Sequence, residues 1–289
     1  QNQQYDVKEL VLLQQKEPQV PADCSALCII GPMQPLAAKE IAAINKYLDQ
    51  GGELFVALEV PPAPDLHEIL GRFGIKVLNG VVLDPVSNLW GNMGVPMVVN
   101  PEPHDITAGQ QSFFFPGTRA FELESEEPTE PMYPGSPPPQ PRKKGIELLM
   151  SSESAWLDTN FKPGVQPKKD PGEKSGPLCL AVAVDQKKSE PQMPPGMEPP
   201  VEEQQGKGPR IVVVGDSDFL TQAVRDISPV GIVFALKSIA WLTKDEKLVS
   251  IPPKEPTDRR LVLSGAQLKL VIILVFLLPV LVLVAGVTV

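Results

Sequence analysis

Residues 26–59 of this chain, ALCIIGPMQPLAAKEIAAINKYLDQGGELFVALE, decide its fold. The apolar runs at residues 26–30 and 53–59 predict two buried β-strands. Between them, apolar residues at helical spacing predict a helix over residues 36–50, and Gly51 supplies the left-handed conformation that ends many helices. A strand, a helix and a second strand in this order predict a βαβ unit with parallel strands.

The rest of the chain supplies further elements of an α/β domain. Apolar runs predict strands over residues 146–150, 178–184 and 210–214. A helix is predicted over residues 231–243, where apolar residues recur at helical spacing. These elements predict one α/β domain over residues 1–250.

Proline is concentrated in one part of this domain. Half of the 34 prolines lie between residues 125 and 209, in segments rich in charged residues. Such segments lack the apolar surface that offsets the entropy cost of ordering, so we expect long surface loops or disordered segments there. The loops are predicted to interrupt the domain and not to separate two domains.

The last twenty residues, 270–289 (LVIILVFLLPVLVLVAGVTV), contain no charged residue, Asn or Gln. A helix of this length spans about 30 Å, the thickness of the hydrocarbon core of a bilayer. The sequence therefore predicts a C-terminal transmembrane helix, preceded by a linker over residues 251–269. The apolar run reaches Val289 without a polar flank and the chain starts without Met, so we expect a segment of a longer protein.

Composition excludes some functions and leaves others open. The net charge of −9 and the pI near 4.9 argue against nucleic-acid binding, which requires a basic surface. The three cysteines form no disulfide framework, and Cys28 is expected to be a small buried residue of the first strand. The two histidines, His67 and His104, are too far apart in sequence to indicate a metal site, and no cofactor is predicted.

Two turns that follow predicted strands form the candidate site. The first begins with Gly31 and Pro32, and the second, GDSDF, carries Asp216, Ser217 and Asp218. Open α/β sheets bind ligands at the carboxyl ends of their strands, so a ligand or partner contact is expected there. The two aspartates suit a divalent metal, but they also suit a simple turn and helix cap. We favour the turn and cap, because the sequence shows no third metal ligand.

No catalytic motif is present. The chain lacks the Gly-x-Ser-x-Gly elbow of α/β hydrolases, the two-histidine zinc motif and the phosphate-binding loop of nucleotide hydrolases. The sequence therefore predicts a non-enzymatic protein.

Several segments in order resemble one family. They are residues 20–59, HDIT at residues 104–107, LLMSSESAW at residues 148–156, GPLCLAVAV, RIVVVGDSDFL, FALKSIAWLT and the final apolar run. Together they resemble the GldG-like auxiliary subunits of gliding-motility-type ABC transporters. The extracytoplasmic part of that group is similar to the GIFT domain shared with an intraflagellar-transport protein.

This resemblance implies a Rossmann-like fold related to glutamine amidotransferases, with a mostly parallel sheet and no catalytic residues. It implies an anchor in the bacterial inner membrane, with the soluble body in the periplasm or otherwise extracytoplasmic. The implied partners are an ABC permease, its ATPase and an envelope or substrate protein. The alternative hypothesis is a membrane-tethered α/β domain that binds a ligand or metal, with or without enzymatic activity, and has its pocket at the two strand-end turns.

Overall fold

A computed structural model of the chain contains the predicted βαβ unit. Strand β1 (Leu27–Ile30), helix α1 (Ala38–Asp49) and strand β2 (Leu54–Ala57) follow one another, and the two strands are parallel. The helix begins at Ala38, two residues later than predicted, and the Glu40 carboxylate accepts a hydrogen bond from the Ala37 N–H at 2.9 Å. The structure describes residues 5–126, 142–162, 164–186 and 208–243.

Most of the remaining elements are short strands. The strands are β3 (Ile75–Val77), β4 (Val81–Leu83), β5 (Asn88–Leu89), β6 (Asn92–Val99), β7 (Ser112–Phe114), β8 (Phe121–Leu123), β9 (Ser125–Glu126), β10 (Arg142–Lys143), β11 (Ile146–Met150), β12 (Trp156–Asp158), β13 (Cys179–Asp185) and β14 (Arg210–Val214). The helices are α2 (His67–Leu70), α3 (Gln222–Ile227) and α4 (Val230–Thr243). Single 3-10 turns lie at Leu12–Gln14, Gly71–Phe73 and Asp218–Leu220.

A seven-stranded sheet forms the centre of the domain. Its strand order is β1-β2-β14-β13-β8-β3, and β11 also pairs with β13. The pairings β1–β2 and β2–β14 are parallel. The pairings of β13 with β14, β11 and β8, and that of β8 with β3, are antiparallel. The sheet is therefore mixed, and the expected mostly parallel sheet is wrong.

The prediction of a mostly parallel sheet failed because an apolar run shows that a strand is buried but not the direction of its neighbours. Every residue of β13 except Asp185 is buried, because the strand is covered on both faces. Burial on both faces requires an apolar run whichever way the neighbouring strands point, so the run cannot distinguish parallel from antiparallel pairing. A parallel neighbour also needs a long crossover, usually a helix. Between β11 and β13, the described residues contain β12 and no helix.

Two apolar cores lie on the two faces of the sheet. Successive buried residues of β2 and β14 alternate between them, as the pleat requires. Phe55 and Val212 join one core with α4, while Leu54 and Val213 join the other with α1 and α2. The parallel strands β2 and β14 are thus fixed from both sides.

Strand β1 is an edge strand, and this overturns one expectation. Cys28, which the sequence placed in the core, is exposed, and Ile30 is 54% exposed. Among the described residues, β1 pairs only with β2. An edge strand does not need to be covered on both faces. The apolar run of β1 therefore led to the wrong expectation that its residues are buried.

Predictions for the C-terminal segment lie outside the described residues. They concern the linker at residues 251–269 and the transmembrane helix at residues 270–289. Among the residues that the structure does describe, no helix has the length and apolar character needed to cross a bilayer.

Asp84 joins two loops that are far apart in the sequence. Its carboxylate is fully buried and accepts hydrogen bonds from the N–H groups of Val86 and Ser87, at 3.0 and 2.8 Å. It also accepts bonds from the Ser152 N–H and hydroxyl, at 3.0 and 2.8 Å. The carboxylate therefore holds the loop after β4 against the loop after β11.

Replacing this carboxylate tests its role. Asp84→Ala leaves three N–H groups and the Ser152 hydroxyl without the buried carboxylate that accepts from them, so we expect a loss of about 3 kcal/mol in the free energy of unfolding. In a chain of this size the midpoint should fall by roughly 6–12 °C, measured by thermal unfolding of the full-length chain in detergent. The exposed Asp226→Ala variant is the control and should change little. Equal midpoints for the two variants would contradict this role.

Candidate functional site

The candidate site lies where three parallel strands end. Because β1, β2 and β14 run in the same direction side by side, their carboxyl ends meet at one edge of the sheet. Gly31 follows β1, Glu59 lies two residues after β2, and Asp216 lies two residues after β14. The two turns that the sequence selected are therefore neighbours in space.

Gly31 and Ser217 lie against each other. Gly31 has a φ of +56°, and a Cβ atom added to it would lie 2.8 Å from the Ser217 Oγ and 3.7 Å from a carboxylate oxygen of Glu59. The position thus requires glycine for its backbone conformation and for the close approach. Pro32 follows it and is half-buried.

Three carboxylates converge at this edge. One carboxylate oxygen from each of Glu59, Asp216 and Asp218 lies within 4.8 Å of those of the other two. Asp216 is fully buried, Glu59 is half-buried and Asp218 is exposed, so the group is open to solvent on one side. The sequence identified both aspartates but missed Glu59, the third carboxylate.

Hydrogen bonds organise part of this group. The Oδ1 of Asp216 accepts a bond from the Asp218 N–H at 2.8 Å, as expected for a residue that caps a turn. The Ser217 hydroxyl donates to the Glu59 carboxylate. Among the described residues, the buried Oδ2 of Asp216 has no hydrogen-bond partner. The turn-and-cap interpretation therefore explains one oxygen of Asp216 and not the other.

Burial raises the pKa of Asp216 well above its usual value, and the negative charges of Asp218 and Glu59 raise it further. The backbone N–H groups of Asp218 and Phe219 act in the opposite direction and do not offset the burial. The environment of this carboxyl group thus favours its neutral form when no cation is near.

Arg119 holds the backbone on both sides of the candidate site. Its guanidinium is buried and donates to the backbone carbonyls of Glu59 and Ala63. Its own N–H donates to the Gly215 carbonyl at 2.8 Å. Burial lowers the pKa of Arg119, and the charges of Asp65 and Glu59 partly oppose this effect. No sequence motif identifies Arg119 as part of the site, because its partners are backbone atoms far along the chain.

Gly215 makes this support possible. A Cβ at this position would lie 2.3 Å from the Arg119 carbonyl oxygen and 2.5 Å from the Thr118 Oγ1. Only a glycine lets the strand-end turn and the segment before β8 approach so closely. The glycine of the GDSDF motif is thus explained by packing.

The other titratable residues that the sequence singled out lie elsewhere. His67 is exposed, and its Nδ1 lies 2.8 Å from an Asp65 oxygen. The His104 ring packs edge-on against Trp241, with 5.3 Å between the ring centroids. Neither histidine belongs to the carboxylate group. Its potential ligands are therefore oxygen atoms, the type that hard cations prefer.

Comparison with known proteins relates the chain to a family. A family model described as "ABC-type uncharacterized transport system" (ABC_transp_aux) matches residues 1–235. No curated protein matches the chain.

Two solved structures are similar in part. The mmIFT52 N-terminal domain shares 15% identity and a TM-score of 0.48, with 76% of this chain and 77% of that chain covered. A ThuA-like protein from Bacteroides uniformis shares 12% identity and a TM-score of 0.38, with 75% and 69% covered.

Asp216→Asn tests the state of the buried carboxyl group. A folded-state pKa above the unfolded value of about 3.9 means that stability is greatest below that value and is lost as pH rises through the folded pKa. Asparagine cannot ionise and so avoids this loss. In the presence of a chelator, we expect the variant to melt about 2–4 °C above the wild type at pH 8.

The pH dependence provides the control for this comparison. The difference between the two midpoints should shrink as the pH is lowered towards about 4, where both side chains are neutral. A difference that is constant with pH, or a variant that melts below the wild type at pH 8, would contradict the raised pKa.

Proposed function

The chain belongs to this family of auxiliary components of ABC-type transport systems, and we propose that it acts there as a non-catalytic, membrane-anchored subunit. The observation that carries the proposal is the family match, which extends over residues 1–235 of 289. In this role the α/β body contacts a partner or substrate protein, and the permease and ATPase are supplied by other chains.

The apolar segment at residues 270–289 supports the membrane anchor, because its length and composition suit a bilayer. We place the body on the extracytoplasmic side of the bacterial inner membrane, as the resemblance to GldG-like subunits implies. The proposal concerns transport and does not depend on gliding motility.

The hairpin of β5 and β6 presents a surface suited to a protein contact. Its two-residue turn consists of Trp90 and Gly91, with φ angles of +56° and +77°. Positive angles at both positions are typical of the tight turns that fix a hairpin. Trp90 is 79% exposed, and Val86 nearby in the chain is 73% exposed. An exposed Trp on a defined turn matches the aromatic anchors that dominate many protein interfaces.

Purification of the full-length chain from its native membrane in a mild detergent tests the proposal. We expect mass spectrometry to find a polytopic permease and an ATPase with nucleotide-hydrolysis motifs in the same fraction. Recovery of the chain without either, under conditions in which a known ABC transporter stays intact, would contradict the proposal.

Trp90→Ala tests the hairpin turn in the same experiment. Truncation of an interface Trp commonly costs 2 kcal/mol or more, so the yield of co-purified partners should fall by roughly tenfold or more. Val165→Ser, which changes another exposed apolar residue, is the control and should leave the yield unchanged. Equal yields from the two variants would show that the hairpin turn is not the contact.

A further inference from the structure

We propose that Glu59, Asp216 and Asp218 form a binding site for a hard divalent cation, with Ca²⁺ as the best match. The site is distinct from the proposed contact with the transporter, and it does not rest on that proposal. It adds a ligand chemistry that the family description does not assign.

The unsatisfied oxygen of Asp216 carries the inference. A buried carboxylate oxygen without a hydrogen bond is costly, and native proteins seldom leave one in that state. This oxygen belongs to a fully buried side chain whose carboxylate faces those of Glu59 and Asp218, within 4.8 Å. A cation bound between the three groups would satisfy it and neutralise their charge.

In the part of the chain that the structure describes, no positively charged side chain bonds to these carboxylates. Among the described residues, no ion pair reaches any of the three carboxylates. The nearby Arg119 interacts with Glu59 through its charge, but its hydrogen bonds are to the carbonyl oxygens of Glu59 and Ala63. Arg119 therefore supports the loop after β2 and leaves the carboxylates unpaired.

The ligand type and the open geometry suit Ca²⁺. Three carboxylate oxygens lie within reach of one ion on a side open to solvent, and Ca²⁺ accepts flexible coordination that mixes carboxylates with water. Mg²⁺ demands near-ideal octahedral geometry and loses its water reluctantly, so we expect it to bind more weakly. The cation would complete its coordination with water on the exposed side, where Asp218 lies.

A small ion fits this site better than a partner's lysine or arginine. Asp216 is fully buried, so a long side chain from another protein would reach Asp218 and Glu59 but not the unsatisfied oxygen. An ion of atomic size can pass the exposed Asp218.

The test uses the chelator-treated full-length chain in detergent. Addition of Ca²⁺ to about one hundred times its dissociation constant should raise the melting midpoint by roughly 5–10 °C, because the ion binds the folded state. Isothermal titration calorimetry should show one saturable site, with weaker binding of Mg²⁺.

Variants then locate the site. Glu59→Gln and Asp218→Asn each remove one charge from a side chain that is not fully buried, so both variants should fold. Each should weaken Ca²⁺ binding by roughly tenfold or more, since affinity follows the number of charged ligands. Glu68→Gln removes a similar charge from the exposed surface of α2 and should bind Ca²⁺ like the wild type.

Two results would overturn the proposal. One is the absence of saturable binding in the wild type, which would leave a partner's cationic side chain as the occupant. The other is equal binding by wild type, Glu59→Gln and Asp218→Asn, which would place the ion elsewhere. Either result would leave co-purification with a permease unaffected, so this proposal and the transporter proposal fail separately.

Discussion

The pairing of β2 with β14 is the constraint on which the rest of the structure depends. These parallel strands are buried on both faces, and their register places Ala57 opposite Val214. A shift by one residue would exchange the side chains between the two cores, so the register is strongly fixed. The same register brings Glu59 beside Asp216, although 156 other residues separate them in the chain. The acidic site is thus a consequence of how the core packs.

Three buried charged residues of the described chain are bonded to other parts of the protein, and Asp216 is bonded only in part. Arg119 and Asp84 are buried, and each is bonded to groups in segments far along the chain. Lys237 is buried too, and its ammonium group donates to the Ala108 carbonyl. These three residues join loops to the framework and need no ligand. Asp216 differs, because one of its oxygens has no partner among the described residues, and this difference separates a ligand site from structural support.

The local elements of the fold could be predicted from the sequence. The bounds of β14 are those expected from its apolar run, and the βαβ unit has the predicted order. The direction of the remaining strands could not be predicted, because burial on both faces gives the same apolar pattern in parallel and antiparallel pairs. The exposure of Cys28 was missed for a related reason: a sequence does not show which strand lies at the edge of a sheet.

The site was predicted in part for the same physical reason. Gly31, Asp216, Ser217 and Asp218 could be identified because each follows a recognisable strand, and the structure brings Gly31 and Ser217 together. Glu59 also follows a strand, but its relevance depends on β14 being the neighbour of β2, which is a long-range fact. Arg119 had no signal at all, because its bonds are to backbone carbonyls. Local patterns thus identified the two turns, and the topology supplied the third carboxylate.

The central claim is that Glu59 and Asp216 face each other as unpaired acidic groups. A double-mutant cycle of Glu59→Gln and Asp216→Asn, measured by chemical unfolding in chelator at pH 8 and low salt, tests it most directly. The charge of Glu59 helps to raise the pKa of Asp216, and either substitution removes this unfavourable interaction, so the double variant should gain less stability than the sum of the single variants, with a coupling of about 0.5–3 kcal/mol. Additivity within about 0.3–0.5 kcal/mol would show that the two carboxylates do not interact and would contradict the account.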